Sequence, residues 1–116
     1  MPNFIGKTGE DLAVKYLNKL GYKIIERNFR IRGGEIDIVA IDGKTLVYIE
    51  VKTRTSHKFG LPQESVTPTK IRFIVRAAKF YRNNRKNLPE LERIDVLAID
   101  LIDKIPKYNL IKNASF

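Results

Sequence analysis

Apolar side chains recur at two spacings along the chain, and the helical spacing marks two segments. Within residues 7–20 the apolar positions fall on one face of a helix, and Gly21 ends the run. These positions are Ala13, Tyr16, Leu17 and Leu20. A second helix is predicted to begin with Thr67 as its N-cap and Pro68 as its first residue. Its apolar stripe comprises Ile71, Ile74, Val75, Ala78 and Tyr81.

The remaining apolar residues cluster in short runs rich in Ile and Val, which are typical of β-strands. Strands are predicted over residues 22–31, 35–42, 45–52 and 93–101, with a weaker one over 107–114. The order of elements predicts an α/β fold in which a central mixed β-sheet of about five strands is flanked by α-helices. No repeat, low-complexity tract or linker interrupts residues 1–116, so a single domain is expected.

The turn between the second and third predicted strands determines how their side chains face one another. Gly43 and Lys44 suit a two-residue type II′ turn, which would place Asp42 opposite Thr45. A four-residue loop closed by the next pair inward keeps the same register. A three-residue loop would shift the register by one residue. Side chains of the two strands that otherwise share a face would then lie on opposite faces of the sheet.

In the two-residue register, two acids and a lysine share one face of the hairpin. Asp37 lies opposite Glu50, and Lys52 points to the same face. Facing carboxylates repel, so the pair is expected to hold a proton or to bind a cation, with Mg²⁺ or Mn²⁺ favoured by hard oxygen ligands. The carbonyl of Val51 could add a ligand, and Lys52 could deprotonate a water or offset phosphate charge. Each acid alone would more commonly form a surface salt bridge, but the three together favour a metal site.

A fourth group lies on the first predicted helix. Glu10 falls on the same helical line as Ala13 and Leu17, so it is expected on the side that faces the core. An acid near a helix start has a structural use, because it stabilises the helix dipole. Glu10 could equally reach across the sheet to the expected metal site at Asp37 and Glu50. The residues alone leave both interpretations open.

The excess of positive charge is concentrated in one segment of the chain. The net charge is +9, and residues 51–89 contain ten Lys or Arg against one acid, whereas the rest of the chain balances. Such a field favours polyanions, above all nucleic acid, over the alternative of a solubilising helix face. Contacts to the phosphate backbone position a strand without reading its sequence. The predicted nucleic-acid contacts are Arg54, Lys58, Lys70, Arg72, Arg76 and Lys79.

Composition narrows the classes of protein further. The chain has no cysteine, which excludes disulfides, thiolate metal sites and thiol nucleophiles. No apolar segment is long enough for a membrane span or a secretory signal, so a cytoplasmic protein without a membrane partner is expected. The single histidine, His57, is interpreted as an exposed bystander. Phe73 and Phe80 are expected to pack in the core or an interface, with stacking on bases as the alternative.

Four stretches of sequence carry a resemblance to a known family. They are TGEDLAVKYLNKLGYKIIERNFR, GGEIDIVAIDGKTLVYIEVKTR, FGLPQESVTPTKIRFIVRAAKFY and RIDVLAID, and they follow one another as in the small bacterial YraN-like proteins. An acid, a gap and then Glu-x-Lys is the pattern of the PD-(D/E)xK nucleases. The chain also resembles archaeal Holliday-junction resolvases. The resemblance implies a restriction-endonuclease-like fold and makes a homodimer plausible.

Residue by residue, the resemblance assigns Glu10 as the helix acid, Asp37 and Glu50 as metal ligands, and Lys52 as the catalytic lysine. The sequence departs from the motif in having Ile36, rather than proline, before Asp37. The leading hypothesis is a Mg²⁺- or Mn²⁺-dependent nuclease that hydrolyses DNA phosphodiesters, on branched or otherwise structured DNA. The rivals are a non-catalytic, basic nucleic-acid-binding module and a subunit of a DNA-processing complex.

Overall fold

The computed structural model describes residues 4–55 and 67–114. These residues form two helices and five strands: α1 (Phe4–Lys19), β1 (Lys23–Ile31), β2 (Gly34–Asp42), β3 (Thr45–Arg54), α2 (Pro68–Asn83), β4 (Leu91–Asp100) and β5 (Lys107–Ile111). The strands make one sheet in the order β1-β2-β3-β4-β5. β3 and β4 run parallel, and the other neighbouring pairs are antiparallel. The predicted α/β class and five-stranded mixed sheet are confirmed, and the arrangement is consistent with a restriction-endonuclease-like fold.

Apolar side chains fill a core on each face of the sheet. The core beneath α2 contains Ile36, Val39, Leu46, Tyr48, Ile71, Ile74, Ala77, Ala78, Tyr81 and Ile94. The core beneath α1 contains Ala13, Leu17, Tyr22, Ile38, Ala40, Val47, Ile49, Leu97 and Ile99. Alternate residues of β3 enter opposite cores, which explains why the strand has a continuous apolar run instead of a polar face. A charged residue inside such a strand therefore lies beneath a helix, at least partly removed from water.

The hairpin between β2 and β3 has the predicted register. Its Cα partners run from Asp42 opposite Thr45 to Ile38 opposite Ile49. Gly43 has a φ of +61°, whereas the next residue, Lys44, does not have a positive φ. A positive φ at the first loop position alone is the requirement of a type II′ turn.

The helix ends agree with the sequence in part. Thr67 caps α2, because its hydroxyl oxygen accepts the N–H of Lys70 at 3.2 Å. The prediction that Leu20 belongs to the buried stripe of α1 is wrong, since its side chain is 48% exposed. The helix ends at Lys19 and the backbone turns at Gly21, which has a φ of +92°, so Leu20 lies past the last helical turn. Neither helix in the described part of the chain is long and apolar enough to cross a membrane.

Candidate active site

Strand β2 changes face at Asp37. Ile36 packs in the core beneath α2 and Ile38 in the core beneath α1, although strict alternation would put both on one face. On β1, Asn28 lies between the paired residues that oppose them and has a φ of +54°. The backbone is therefore irregular on both strands at this level. Asp37 therefore lies outside the regular pairing of β2 with β3. Its carboxylate accepts a hydrogen bond from the N–H of Val51 at 2.8 Å.

Glu50 lies next to this irregularity and beneath the first turn of α2. Its side chain is almost wholly buried, with 6% exposure for the residue. One of its oxygens, Oε1, lies 3.4 Å from Nζ of Lys52 and 3.7 Å from Nζ of Lys70. Lys52 comes from the same strand, and Lys70 comes from α2. Two ammonium groups therefore converge on one carboxylate oxygen from two elements of the fold.

The ionisation of these groups shows that the acids and the lysines act on one another. Burial and the neighbouring Glu50 carboxylate raise the pKa of Asp37 to about 7. Burial lowers the pKa of Lys52, and its hydrogen bond with Lys70 lowers it further. The same hydrogen bond raises the pKa of Lys70, which is the response of an ammonium that donates to a neighbouring amine. The predicted electrostatic strain between Asp37 and Glu50 is present in the fold.

Glu10 reaches the region from α1. The helix lies close to the end of β3, where a Cβ added at Gly9 would collide with the side chain of Thr53. Burial raises the pKa of Glu10, and Oε1 of its carboxylate is buried without a hydrogen-bond partner. The nearest cation is Arg27, at 4.0 Å from that oxygen, and the guanidinium of Arg27 donates to Asp11 at 2.7 Å instead. Glu10 is thus a partly buried acid with one oxygen that accepts no hydrogen bond.

The carboxylates of the site can hold a divalent ion only with water as a further ligand. Across residues 4–55 and 67–114, no three Asp, Glu, His or Cys side chains come together as a ready ligand cage. Glu10 therefore does not complete a three-carboxylate group with Asp37 and Glu50. Two carboxylates fit a hydrated Mg²⁺ or Mn²⁺, which keeps several waters and commonly takes only one or two protein carboxylates. The ligand roles of Glu10 and of the Val51 carbonyl remain predictions.

The basic residues predicted to bind nucleic acid separate into two groups. Arg54 and Lys70 face acids, since the Arg54 guanidinium is 2.7 Å from Asp100 and Lys70 lies at Glu50. Three residues lie exposed on the outer side of α2, namely Arg72, Arg76 and Lys79. Lys58 lies outside the described residues, as does His57. The outer face of α2 is therefore the part of the predicted surface that is available to phosphates.

A cavity of about 440 Å³ opens between α2 and the turn from β1 to β2. Its lining includes Ile31, Gly33, Gly34, Glu35, Glu50, Lys70, Phe73 and Ile74. The turn can approach the helix because Gly34 has no side chain: a Cβ there would lie 2.8 Å from the carbonyl oxygen of Phe73. Sequence reasoning did not single out Gly33 and Gly34, although two adjacent glycines before a strand are a signal of close backbone approach.

A second buried acid, Asp95 on β4, was also missed by sequence reasoning. Its carboxylate is fully buried and accepts hydrogen bonds from Tyr22, Arg93 and the N–H of Asn113. The guanidinium of Arg93 also donates to Asp42 at 2.7 Å, near the tip of the hairpin. Its stretch, RIDVLAID, was recognised only as an apolar strand. The alternation of Asp95 with apolar neighbours was the available signal that the acid points into a core.

Comparison with known proteins places the chain among relatives without an assigned activity. The model of a family described as "Uncharacterised protein family UPF0102" matches residues 9–99. A UPF0102 protein of Geobacter metallireducens is 51% identical over 95% of this chain and 90% of its own length. One from Caldicellulosiruptor saccharolyticus is 44% identical over 95% of both chains, and one from Clostridium perfringens is 47% identical over 91% of this chain and 87% of its own.

Proposed function

Since the chain belongs to the UPF0102 family, whose description assigns no activity, we propose from the site itself that the protein is a metal-dependent nuclease that hydrolyses DNA phosphodiesters. One observation carries the proposal: Asp37 and Glu50 repel each other beneath the start of α2, with two lysines at the same point. Both lysines lie at Glu50, whereas burial and Glu50 keep the pKa of Asp37 raised. This supports a cation beside the two carboxylates and an anionic substrate beside the lysines. Membership of the PD-(D/E)xK superfamily is part of the same proposal.

Each residue has a distinct role in the proposed reaction. Asp37 and Glu50 hold a divalent ion, which when bound supplies Lewis-acid stabilisation of negative charge on the phosphate. Lys52 accepts a proton from the attacking water at Nζ, because burial lowers its pKa and so makes the neutral amine more accessible than that of an exposed lysine. Lys70 retains its charge and offsets the charge that develops on the phosphate.

The outer face of α2 positions the strand that is cleaved. Arg72 and Lys79 are exposed there, seven residues apart, and present two positive charges about 10 Å apart along the helix. Such contacts bind phosphates of any sequence and weaken as salt is added. One observation favours a binding module without catalysis, namely that no three acidic groups of the described residues form a ligand cage. The basic face would serve that function equally well.

A cleavage assay separates the two functions. Branched, nicked and single-stranded DNA are incubated with Mn²⁺ and the wild-type protein, Asp37→Asn, Lys52→Met or Asp103→Asn. Asp37→Asn and Lys52→Met are expected to lower the rate by at least about 100-fold, which is the usual contribution of a general base or of an electrostatic stabiliser. Asp103→Asn removes an exposed acid paired with Lys107 and serves as the control, with full activity expected. Binding of DNA without cleavage by the wild type would replace the nuclease with the binding module.

Metal binding gives a second readout that does not depend on finding the substrate. A ligand that binds only the folded state stabilises it by about 2.7 kcal/mol at 100 times its Kd. Mn²⁺ is therefore expected to raise the melting temperature of the wild type and of Asp103→Asn, but not that of Asp37→Asn. An equal rise in all three proteins would place the ion elsewhere.

A further inference from the structure

Two phenylalanines on the side of α2 next to β1 and the β1–β2 turn are exposed to a similar degree but have different surroundings. Phe73 is 44% exposed and Phe80 is 48% exposed, and the two are seven residues apart on one helix. Phe80 contacts Phe29 of β1, with ring centroids 6.3 Å apart. Phe73 instead lines the cavity that ends at Glu50 and Lys70. The expectation that Phe73 packs in the core is therefore wrong, whereas its place at an interface stays a prediction.

The cavity beside Phe73 has the size and chemistry to take an aromatic ring. Its volume of about 440 Å³ lies in the ordinary range of small-molecule sites, and Ile31 and Ile74 provide an apolar lining. Glu35, Glu50 and Lys70 add groups that can accept or donate hydrogen bonds at its edge. The turn closes the cavity against α2, since a Cβ at Gly34 would lie 2.8 Å from the carbonyl oxygen of Phe73. An aromatic ring beside an apolar wall, with a few polar groups, is the composition of sites that hold a nucleobase.

An arginine lies beside the Phe73 ring at the cavity, and a second lies on the exposed side of α2. The guanidinium of Arg76 lies 5.9 Å from the centre of the Phe73 ring, and it donates to the carbonyl of Gly33 at 3.3 Å. Arg72 is exposed on the adjacent position of the helix and donates to Thr69. These groups would meet the phosphates on either side of a bound base. A second copy of a chain with a net charge of +9 would instead bring like charge to this surface.

We propose that Phe73 and this cavity form a binding site for one unpaired nucleobase, so that the protein selects single-stranded or locally unpaired DNA over a continuous duplex. The inference rests on the proposed function for the choice of nucleic acid, and it names the substrate class of that site. The base stacks on the ring of Phe73 and enters the cavity toward Glu50. A base held in a duplex cannot enter, because its faces are covered by its neighbours. The adjacent phosphate is then directed toward the carboxylate pair.

Fluorescence of 2-aminopurine tests the site without any need for cleavage. The probe is placed at an unpaired position of a short oligonucleotide, and binding is measured in EDTA for the wild type, Phe73→Ala and Phe80→Ala. The wild type and Phe80→Ala are expected to quench the probe. Phe73→Ala is expected to leave it bright and to bind the single strand about 5- to 100-fold more weakly, as when one stacked base is lost. All three proteins should bind a fully paired duplex equally, since phosphate contacts dominate there.

Two further variants distinguish the loss of the aromatic ring from a loss of folding. Phe73→Leu retains an apolar side chain without a ring, so it should melt like the wild type yet fail to quench, and Phe73→Trp should restore quenching. Equal quenching by Phe73→Ala and Phe80→Ala would overturn the proposal whether or not the protein cleaves DNA. A change of oligomeric state in Phe73→Ala, with no quenching in the wild type, would also overturn it and assign the surface to contact between copies. Quenching that depends on Phe73, in a protein that cleaves nothing, would uphold the site and reject the nuclease.

Discussion

Two regions of the fold contain buried acids, and the partners that surround the acids differ. At Asp95 the carboxylate is fully enclosed, and both of its oxygens accept hydrogen bonds from Tyr22, Arg93 or the main chain at 2.9 to 3.2 Å. At Glu50 the carboxylate faces a second acid, and the two lysine nitrogens nearest to it lie at 3.4 and 3.7 Å. The first acid is matched by its partners, whereas the second has a like charge beside it.

The difference separates an acid that holds the fold together from one that is available for chemistry. Arg93 shows the first case: burial alone would lower its pKa, but hydrogen bonds to Asp95 and Asp42 raise the pKa overall. The two carboxylates thus stabilise the charged form of the guanidinium. Around Asp37 the balance is reversed, because burial and Glu50 oppose the charged form. Substitutions that are chemically identical should therefore have opposite effects on stability at the two places.

The largest effect is expected from Asp95→Asn. The new amide cannot accept at both ends, so at least one donor among Tyr22, Arg93 and the Asn113 N–H loses its partner. Breaking a buried charged pair usually costs about 3 to 5 kcal/mol, so the free energy of unfolding should fall by about 3 kcal/mol. Urea denaturation of the metal-free protein measures it. A loss below about 1 kcal/mol would mean that the network is far more exposed to water than its geometry indicates.

The same substitution at Asp37 should stabilise the protein. Asp37→Asn keeps an oxygen that can accept the N–H of Val51, and it removes the repulsion with Glu50. At pH 8 in EDTA, the free energy of unfolding should rise by about 1.4 kcal/mol, which is the equivalent of one pKa unit and allows for solvent contact. Urea denaturation again gives the value. Destabilisation as large as that at Asp95 would contradict the distinction between the two regions.

The pH dependence of the same variants supplies the control. An unfolded Asp37 loses its proton near pH 3.8, whereas the folded carboxyl keeps it up to about pH 7. Between those values the folded state binds more protons, so the contribution of this group to stability falls as the pH rises. Asp37→Asn should remove that fall, and Asp103→Asn should retain it. An identical pH profile for the wild type and Asp37→Asn would show that Asp37 is ionised throughout.

The sequence was sufficient to predict the part of the site that depends on local rules. A two-residue loop with Gly43 at its first position fixes the register, which pairs Ile38 with Ile49, the residues next to the two acids. Thr67 and Pro68 likewise mark the start of α2. Each of these features depends on neighbours within a few positions of the chain.

The parts that were missed depend on packing between distant elements. The ion pair of Lys70 with Glu50 was missed, because it depends on the position of α2 on the sheet, and the predicted contact of Lys70 with phosphate stays a prediction. Asp95 meets Tyr22 across 73 positions of sequence, and periodicity within one strand does not encode that contact. The close approach of Gly34 to the main chain of Phe73 and the exposure of the Phe73 side chain are likewise features of the folded backbone.

The smallest effect is expected from Tyr22→Phe, and it tests whether the network at Asp95 is shared among several donors. The phenol donates to Asp95 at 2.9 Å and accepts from Arg93 at 2.8 Å, and burial with Asp95 raises its pKa to about 12. Phe keeps the ring and removes these two bonds, while Arg93 still donates to both oxygens of Asp95. The loss should therefore be about 1 kcal/mol, the net value of a typical hydrogen bond. Tyr16→Phe is the matched control, because the Tyr16 ring stacks on Tyr108 with centroids 4.3 Å apart and should retain that contact.

Combining Tyr22→Phe with Asp95→Asn completes a thermodynamic cycle measured by urea denaturation. If the hydroxyl acts on stability mainly through the Asp95 carboxylate, the double variant should be no less stable than Asp95→Asn alone, within about 0.5 kcal/mol. Full additivity would mean that the two groups stabilise the fold separately. Asp37→Asn added to Tyr22→Phe should, by contrast, be additive, because no hydrogen bond or ion pair links the carboxylate beneath α2 with the network at Asp95 in the described residues. Coupling between them would join the two acidic regions into one network and remove the basis for assigning chemistry to only one of them.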